Sequence, residues 1–167
     1  MRLFIGIEPD GEVREALGAW QARLRAAGVS GDWQAADNLH MTLAFIGEWD
    51  DPDQVPLPPA AGGFTIRLAG VGVFQRARVL YASAAPCAPL DALAADVRRC
   101  LVLARVPCDP MPFVPHITLL RKPVLPEAPD VLALPLPAIA MRVSGACLYR
   151  SERVMDRMRY TVIRKNA

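Results

Sequence analysis

The chain has 167 residues, of which 53% are hydrophobic and 22% charged, and its formal net charge is +2. This length suits one domain, 1–167, built as a unit or as two closely packed lobes, and the composition excludes an intrinsically disordered chain. No apolar run approaches the ~20 residues of a membrane-spanning helix, and the start MRLFIGIEPDGE lacks the long apolar stretch of a secretory signal. We therefore expect a cytoplasmic protein that does not contact a membrane.

Hydrophobic spacing predicts alternating strands and helices. Two segments repeat apolar residues every three or four positions, as helices do, while short apolar runs bounded by proline or glycine indicate strands. The predicted elements are, in order, a strand at 2–8, a helix at 10–27, a strand at 38–47, a loop at 50–62, strands at 63–75 and 78–85, a helix from 87 to 106, a strand at 113–120, a loop at 123–130, and a final antiparallel hairpin or meander.

Charge is unevenly distributed along the chain. Residues 142–165 carry seven basic and two acidic side chains. Such a basic end attracts phosphate-bearing ligands, although a solvated face on a late hairpin explains the same residues equally well.

The two histidines of the chain, His40 and His116, stand in the same context: each is followed by one residue, then threonine, then leucine. The preceding strand and helix are also repeated, with a spacing of 76 residues between the histidines. A repeat this long indicates two duplicated lobes rather than a solenoid, whose repeats are about 20 to 50 residues long. Two facing α+β lobes would place the HxT strands on either side of one cleft.

On a regular strand, residues i and i+2 share a face, so His40 pairs with Thr42 and His116 with Thr118. A single histidine on a strand is usually structural, but two in one context favour a chemical role. A zinc site needs three or four ligands, which two histidines do not supply unless carboxylates complete the set, and no cysteine stands in a nucleophile motif.

Paired acid and base catalysis is the remaining interpretation. Because the ordinary pKa of histidine is about 6.5, one ring can accept a proton while the other donates one near neutral pH. Displacement at phosphorus needs both transfers, and the threonine hydroxyls can donate to the phosphate oxygens. This scheme requires no metal and no other cofactor.

These motifs resemble those of the 2H phosphoesterases, within them the RNA 2′,3′-cyclic phosphodiesterases formerly described as 2′-5′ RNA ligases. The resemblance spans nearly the whole chain and rests on the segments RLFIGIEP, NLHMTLAFIGE, GVFQRARVLYAS, FVPHITLLRK and LYRSERVMDRMRYTVI. It implies an α+β fold of two pseudo-symmetric lobes, with antiparallel sheets lining a central cleft and helices packed outside. It also implies hydrolysis of RNA 2′,3′-cyclic phosphate ends to 2′-phosphomonoesters. We expect a monomer without an obligate protein partner.

The resemblance also assigns roles to residues. It makes His40 the proton donor to the departing 3′ oxygen and His116 the proton acceptor that activates water. Thr42 and Thr118 would bind phosphate oxygens. Arg121 would neutralise phosphate charge, and Phe45 would offer an aromatic face to the terminal base. These last two lie five residues after their histidines, so a regular strand turns them away from the cleft unless it bulges or ends. A core position for Phe45 and a solvated strand end for Arg121 are the structural alternatives.

Three functional alternatives stay open. The chain could act on small cyclic nucleotides or an ADP-ribose cyclic phosphate, or it could bind RNA ends without catalysis. A ligase that joins RNA ends through a 2′-5′ bond uses the same displacement chemistry. Leu120, Tyr81 and the segment VMDRMRY depart from the family pattern, which bears on substrate fit more than on chemistry.

Overall fold

A computed structural model describes residues 1–60, 62–127 and 130–166. It contains nine strands and two α-helices within those ranges. They are β1 (Arg2–Ile7), α1 (Gly11–Ala26), β2 (Ser30–Trp33), β3 (Met41–Glu48), β4 (Phe64–Phe74), β5 (Val79–Ala84), α2 (Ala88–Leu103), β6 (His116–Val124), β7 (Ile139–Val143), β8 (Cys147–Val154) and β9 (Arg157–Lys165). No helix in these ranges is long and apolar enough to cross a membrane.

The strands form two antiparallel sheets. The first has the order β3-β1-β8-β9 and the second β2-β6-β5-β4-β7. In the first, β1 and β3 are neighbours joined through α1, and in the second β5 and β6 are neighbours joined through α2. This repeated strand-helix-strand unit confirms the predicted α+β fold of two similar lobes.

Both predicted helices form, and each buries one apolar stripe. The Asp10 carboxylate caps α1 by accepting from the Val13 backbone N–H at 2.9 Å. Gly28 follows with φ of 100°, a conformation that favours glycine at a helix end. The inner stripes are fully buried and consist of Val13, Leu17, Trp20 and Leu24 on α1 and Leu90, Ala94, Val97 and Leu101 on α2.

One continuous apolar core joins both sheets and both helices. The alternating residues Leu3, Ile5 and Ile7 of β1 face this core. The opposite face of the first sheet carries a smaller buried cluster of Phe4, Cys147 and Tyr149. That second face borders the candidate site.

Two strands differ in their bounds from the sequence predictions, and one strand was not predicted. The strand predicted at 38–47 begins only at Met41, because Ala36–Asn38 form a short 3₁₀ helix. The strand predicted at 113–120 runs instead from His116 to Val124, so it includes the start of the predicted loop at 123–130, of which residues 128 and 129 lie outside the described residues. Strand β2 was not predicted because Ser30–Trp33 has no apolar alternation; pairing with β6 of the second sheet stabilises it.

Candidate active site

The two HxT segments lie where the sheets approach each other, through β3 and β6. His40 immediately precedes β3, and His116 is the first residue of β6. The intervening residues supply core: Met41, Leu43, Ile117 and Leu119 are at most 1% exposed. The threonines Thr42 and Thr118 are half-buried on the other side of their strands.

Each HxT strand contains a bulge at the leucine of its motif. Gly6 pairs with Thr42 and Ile5 with Ala44, which leaves Leu43 without a partner across the sheet. On the second sheet Tyr81 pairs with Thr118 and Leu80 with Leu120, which leaves Leu119 extra. An extra residue reverses the alternation of side chains beyond it.

The bulges change the face on which the two +5 residues lie. Phe45 is half-buried and lines a cavity of about 360 Å³ together with His40 and Thr42. Arg121 is exposed and lines the same cavity from the other sheet. Phe45 also packs against the smaller apolar cluster, so it serves as part of the cavity wall and of that cluster. His116 and Thr118 lie beyond this cavity, on β6.

The two imidazole rings are oriented by equivalent hydrogen bonds. His40 Nδ1 lies 2.7 Å from the Asn38 carbonyl oxygen, and His116 Nδ1 lies 2.7 Å from the Val114 carbonyl oxygen. A carbonyl only accepts, so Nδ1 carries the hydrogen in both rings. Each neutral ring therefore keeps Nε2 as its proton acceptor, and each protonated ring gains its second proton there.

The surroundings disfavour the charged form of both rings. The pKa of His40 is lowered from 6.5 to about 4, chiefly by burial and in smaller part by the nearby His116, Arg121 and Arg14, while the hydrogen bond to Asn38 acts in the opposite direction. Burial and Arg121 also lower the pKa of His116. Both rings are thus neutral near pH 7, whereas the sequence argument expected one of them to be charged. A bound phosphate anion would oppose the effect of Arg121 on both rings.

Aromatic side chains pack around each histidine. The His40 ring centroid is 4.7 Å from that of Phe4 and 4.8 Å from that of Tyr160. The His116 ring meets Phe74 edge-on at 4.9 Å and Tyr81 at 5.5 Å. These contacts limit ring rotation and contribute to the burial that lowers the pKa of both rings. Sequence reasoning assigned none of these aromatic residues to the site, because they come from four different strands and share no local motif.

Asn38 is a further residue that sequence reasoning missed. Its carbonyl accepts from His40, while its side-chain Nδ2 donates to the Met158 carbonyl at 2.8 Å and its Oδ1 accepts from the Tyr160 N–H at 3.2 Å. Asn38 therefore connects the orientation of His40 to the edge strand β9. Val114, which holds His116, has no amide side chain, so the two lobes differ here.

The basic end of the chain borders the site. Arg157, Arg159 and Lys165 line a groove of about 980 Å³ next to Asn38 and Tyr160. Lys165 is paired with Glu8 at 2.6 Å. Within residues 1–60, 62–127 and 130–166, no three His, Cys, Asp or Glu side chains are arranged to hold a metal ion.

Comparisons with known proteins agree with this geometry. Residues 7–81 match the sequence model of the LigT like Phosphoesterase family. This matched range includes His40 but not His116. The RNA 2′,3′-cyclic phosphodiesterase of Escherichia coli (strain K12) is 35% identical over 98% of this chain and 94% of its own length. The crystal structure of E. coli LigT complexed with 3′-AMP has a TM-score of 0.74 at 32% identity, covering 98% of this chain and 95% of that chain. A crystal structure described as a phosphoesterase has a TM-score of 0.79 at 32% identity and the same coverage.

The fold is an α+β arrangement of two antiparallel sheets, with one HxT histidine beside β3 of the first sheet and the other on β6 of the second. The chain belongs to the LigT-like phosphoesterase family.

Proposed function

We propose that the protein hydrolyses RNA 2′,3′-cyclic phosphate ends to 2′-phosphomonoesters, with His40 as proton donor and His116 as proton acceptor. The observation that carries the proposal is the matched pair of imidazoles, each bonded through Nδ1 to the carbonyl two residues earlier. Such a pair leaves two Nε2 atoms for two proton transfers. The name of the E. coli relative supports the substrate class.

In this scheme, water attacks phosphorus and passes its proton to Nε2 of His116. The bond between phosphorus and the 3′ oxygen breaks as Nε2 of His40 gives its proton to that oxygen, and the phosphate stays on the 2′ oxygen. Solvent then restores both protonation states. An RNA 5′-hydroxyl in place of water would form a 2′-5′ bond, but abundant water favours hydrolysis.

The other predicted residues act on substrate binding. Thr42 and Thr118 donate hydrogen bonds to the phosphate oxygens, and Arg121 balances phosphate charge. Phe45 offers its ring to the terminal base. Because both proton transfers use histidine, the scheme needs no metal or other cofactor.

The proposal includes a monomer of one domain, 1–167, made of two duplicated lobes and active in the cytoplasm without an obligate protein partner. The core shared by both sheets supports the single domain.

The test is turnover of a short oligonucleotide that ends in a 2′,3′-cyclic phosphate, with and without EDTA. We expect EDTA-resistant formation of a 2′-phosphate, identified by phosphorus NMR. His40→Ala and His116→Ala should each lower the rate by about 10² to 10⁴. No turnover by the natural protein, a 3′-phosphate product, or full activity in either variant would contradict the proposal, and retained binding without turnover would indicate an RNA-end binder.

A further inference from the structure

Arg2 is a charged residue of the cavity lining to which the scheme above gives no role. It lines the 360 Å³ cavity, and its guanidinium carbon lies 4.9 Å from the centroid of the Phe45 ring. Phe4, two residues along β1, packs against the His40 ring. Residues i and i+2 share a strand face at about 7 Å spacing, so Arg2 lies one such step beyond the group that contacts His40.

The Arg2 guanidinium has no carboxylate partner within 4.0 Å in the described ranges. The nearest candidate along the strand pairing is Glu48, opposite Arg2 on β3. Its carboxylate instead bonds to the Met1 ammonium at 3.0 Å. The N–H groups of Arg2 are therefore free to bind a ligand that enters the cavity.

The charged side chains of the cavity lining are both hydrogen-bond donors. They are Arg2 and Arg121, and none of the lining residues carries a carboxylate or a side-chain amide. Hydroxyls come from Thr42, Ser151 and Tyr160. A ligand bound here should present acceptors to Arg2 and an apolar face to the aromatic rings.

We propose that Arg2 reads the base of the terminal nucleotide and makes the enzyme prefer guanosine; this inference rests on the function proposed above. When the phosphate lies between the histidines, its ribose is on the His40 side, because His40 serves the 3′ oxygen. The base then extends along the cavity toward Phe45 and Arg2.

Guanine is the base whose chemistry fits. Its O6 and N7 atoms are two adjacent acceptors that match the two-pronged guanidinium. Adenine places an amino group at the position of O6, and cytosine likewise presents an amino group; the Arg2 guanidinium has no acceptor for either. Uracil offers O4 without an adjacent second acceptor.

The test compares the 2′,3′-cyclic phosphates of guanosine, adenosine, uridine and cytidine as substrates. We expect kcat/KM for the guanosine substrate to exceed that for adenosine by roughly 10- to 100-fold. Arg2→Ala should remove that ratio by lowering kcat/KM for the guanosine substrate more than for the adenosine substrate. Arg2→Lys keeps the charge but not the fork, so it should also lose the preference.

A matched control is Arg25→Ala, because the exposed Arg25 side chain makes the same kind of contact, 4.5 Å from the Trp33 ring, and is not part of the cavity lining. It should keep the guanosine preference. Inhibition by guanosine 2′-monophosphate and adenosine 2′-monophosphate gives an independent readout, with the guanosine product binding more tightly only when Arg2 is present.

The outcomes separate this inference from the proposed function. Turnover of all four substrates at similar kcat/KM would overturn the guanosine preference and leave the function intact. A uniform loss in Arg2→Ala for every base would show that Arg2 binds phosphate instead. If the protein turned over neither the four mononucleotides nor an oligonucleotide end, the function itself would be contradicted.

Discussion

At the scale of single residues, the two histidines share one hydrogen-bond pattern but differ in their surroundings. The His40 ring contacts three aromatic rings, those of Phe4, Tyr149 and Tyr160, and the pKa of His40 falls to about 4. His116 is packed by Phe74 and Tyr81, and its pKa is also lowered. In the working form of the pair one of the two Nε2 atoms is protonated, so this form is scarce at neutral pH until phosphate binds.

The pH dependence of the reaction follows from these shifts. Since both pKa values of the free enzyme lie below 6.5, kcat/KM should reach its maximum on the acidic side of 6.5 and fall toward alkaline pH. Arg121→Gln removes a charge that lowers both pKa values. The kcat/KM maximum of this variant should therefore lie at higher pH than that of the natural protein, even as KM rises. An optimum on the alkaline side of neutrality in the natural protein, unmoved by Arg121→Gln, would contradict this account of the pair.

Stability should depend on the same group. The folded pKa of His40 lies below its unfolded value, so the unfolded chain takes up a proton that the folded chain resists. The contribution of neutral His40 to the unfolding free energy is fully present above about pH 6.5. It is lost as the pH falls toward about 4, and the loss amounts to at most about 3 kcal/mol. In urea unfolding at several pH values, His40→Gln should lose less stability on acidification than the natural protein. Equal losses in both would show that His40 is not held neutral.

At the scale of secondary-structure elements, the bulges decide which side chains enter the cleft. Regular alternation from the sequence places His40 with Thr42 correctly but turns Phe45 away. The extra residue Leu43 reverses that alternation, and Leu119 does the same for Arg121. A leucine at a bulge resembles any core leucine in sequence, so these bulges had no readable signal.

The same limit explains the other differences at this scale. The helices were predictable because their apolar stripes repeat over four turns. Strand β2 was not, because its four residues are ordered by hydrogen bonds to β6, a contact distant in sequence. Asn38 and the aromatic residues around the histidines likewise meet only after folding.

The link between Asn38 and β9 predicts a specific variant effect. Asn38→Ala keeps the carbonyl that orients His40 but removes both side-chain bonds to β9. Tyr160 should then pack less firmly on His40, water should reach the ring, and the His40 pKa should rise toward 6.5. We expect about a tenfold loss in kcat with a kcat/KM optimum at higher pH.

A matched control for this variant is Asn166→Ala, because Asn166 also bonds through its amide to backbone carbonyls, at Pro58 and Leu57, away from His40. It should leave the pH optimum unchanged. If both variants lose activity equally with no change of optimum, Asn38 has only a general structural role.

At the scale of the whole molecule, the two-part α+β fold was the most predictable feature. Two copies of HxTL at 76-residue spacing indicated two similar lobes, and the chain forms two antiparallel sheets, each with one HxTL strand. The position of the basic C-terminal strands could not be predicted, because charge in sequence does not tell whether β9 borders the cleft. In the structure it does, through Arg157 and Arg159.

This placement predicts how salt affects the enzyme. An oligonucleotide that runs along β9 should bind more weakly as salt rises, whereas a mononucleotide cyclic phosphate should change little. The double variant Arg157→Ala/Arg159→Ala should reduce the log-log salt slope for an oligonucleotide by about 1.4, that is ~0.7 for each lost contact. Equal salt slopes for both substrates would favour a small-nucleotide enzyme.

The most direct test of the central claim uses a dinucleotide 2′,3′-cyclic phosphate in which sulfur replaces the bridging 3′ oxygen. A thiolate is a good leaving group because a thiol has a pKa of about 8.5, so it departs without a proton donor. His40→Ala should therefore recover most of the natural rate on the sulfur substrate, while His116→Ala, which lacks the acceptor for the water proton, should stay slow. Recovery in both variants, or in neither, would contradict the division of roles between His40 and His116.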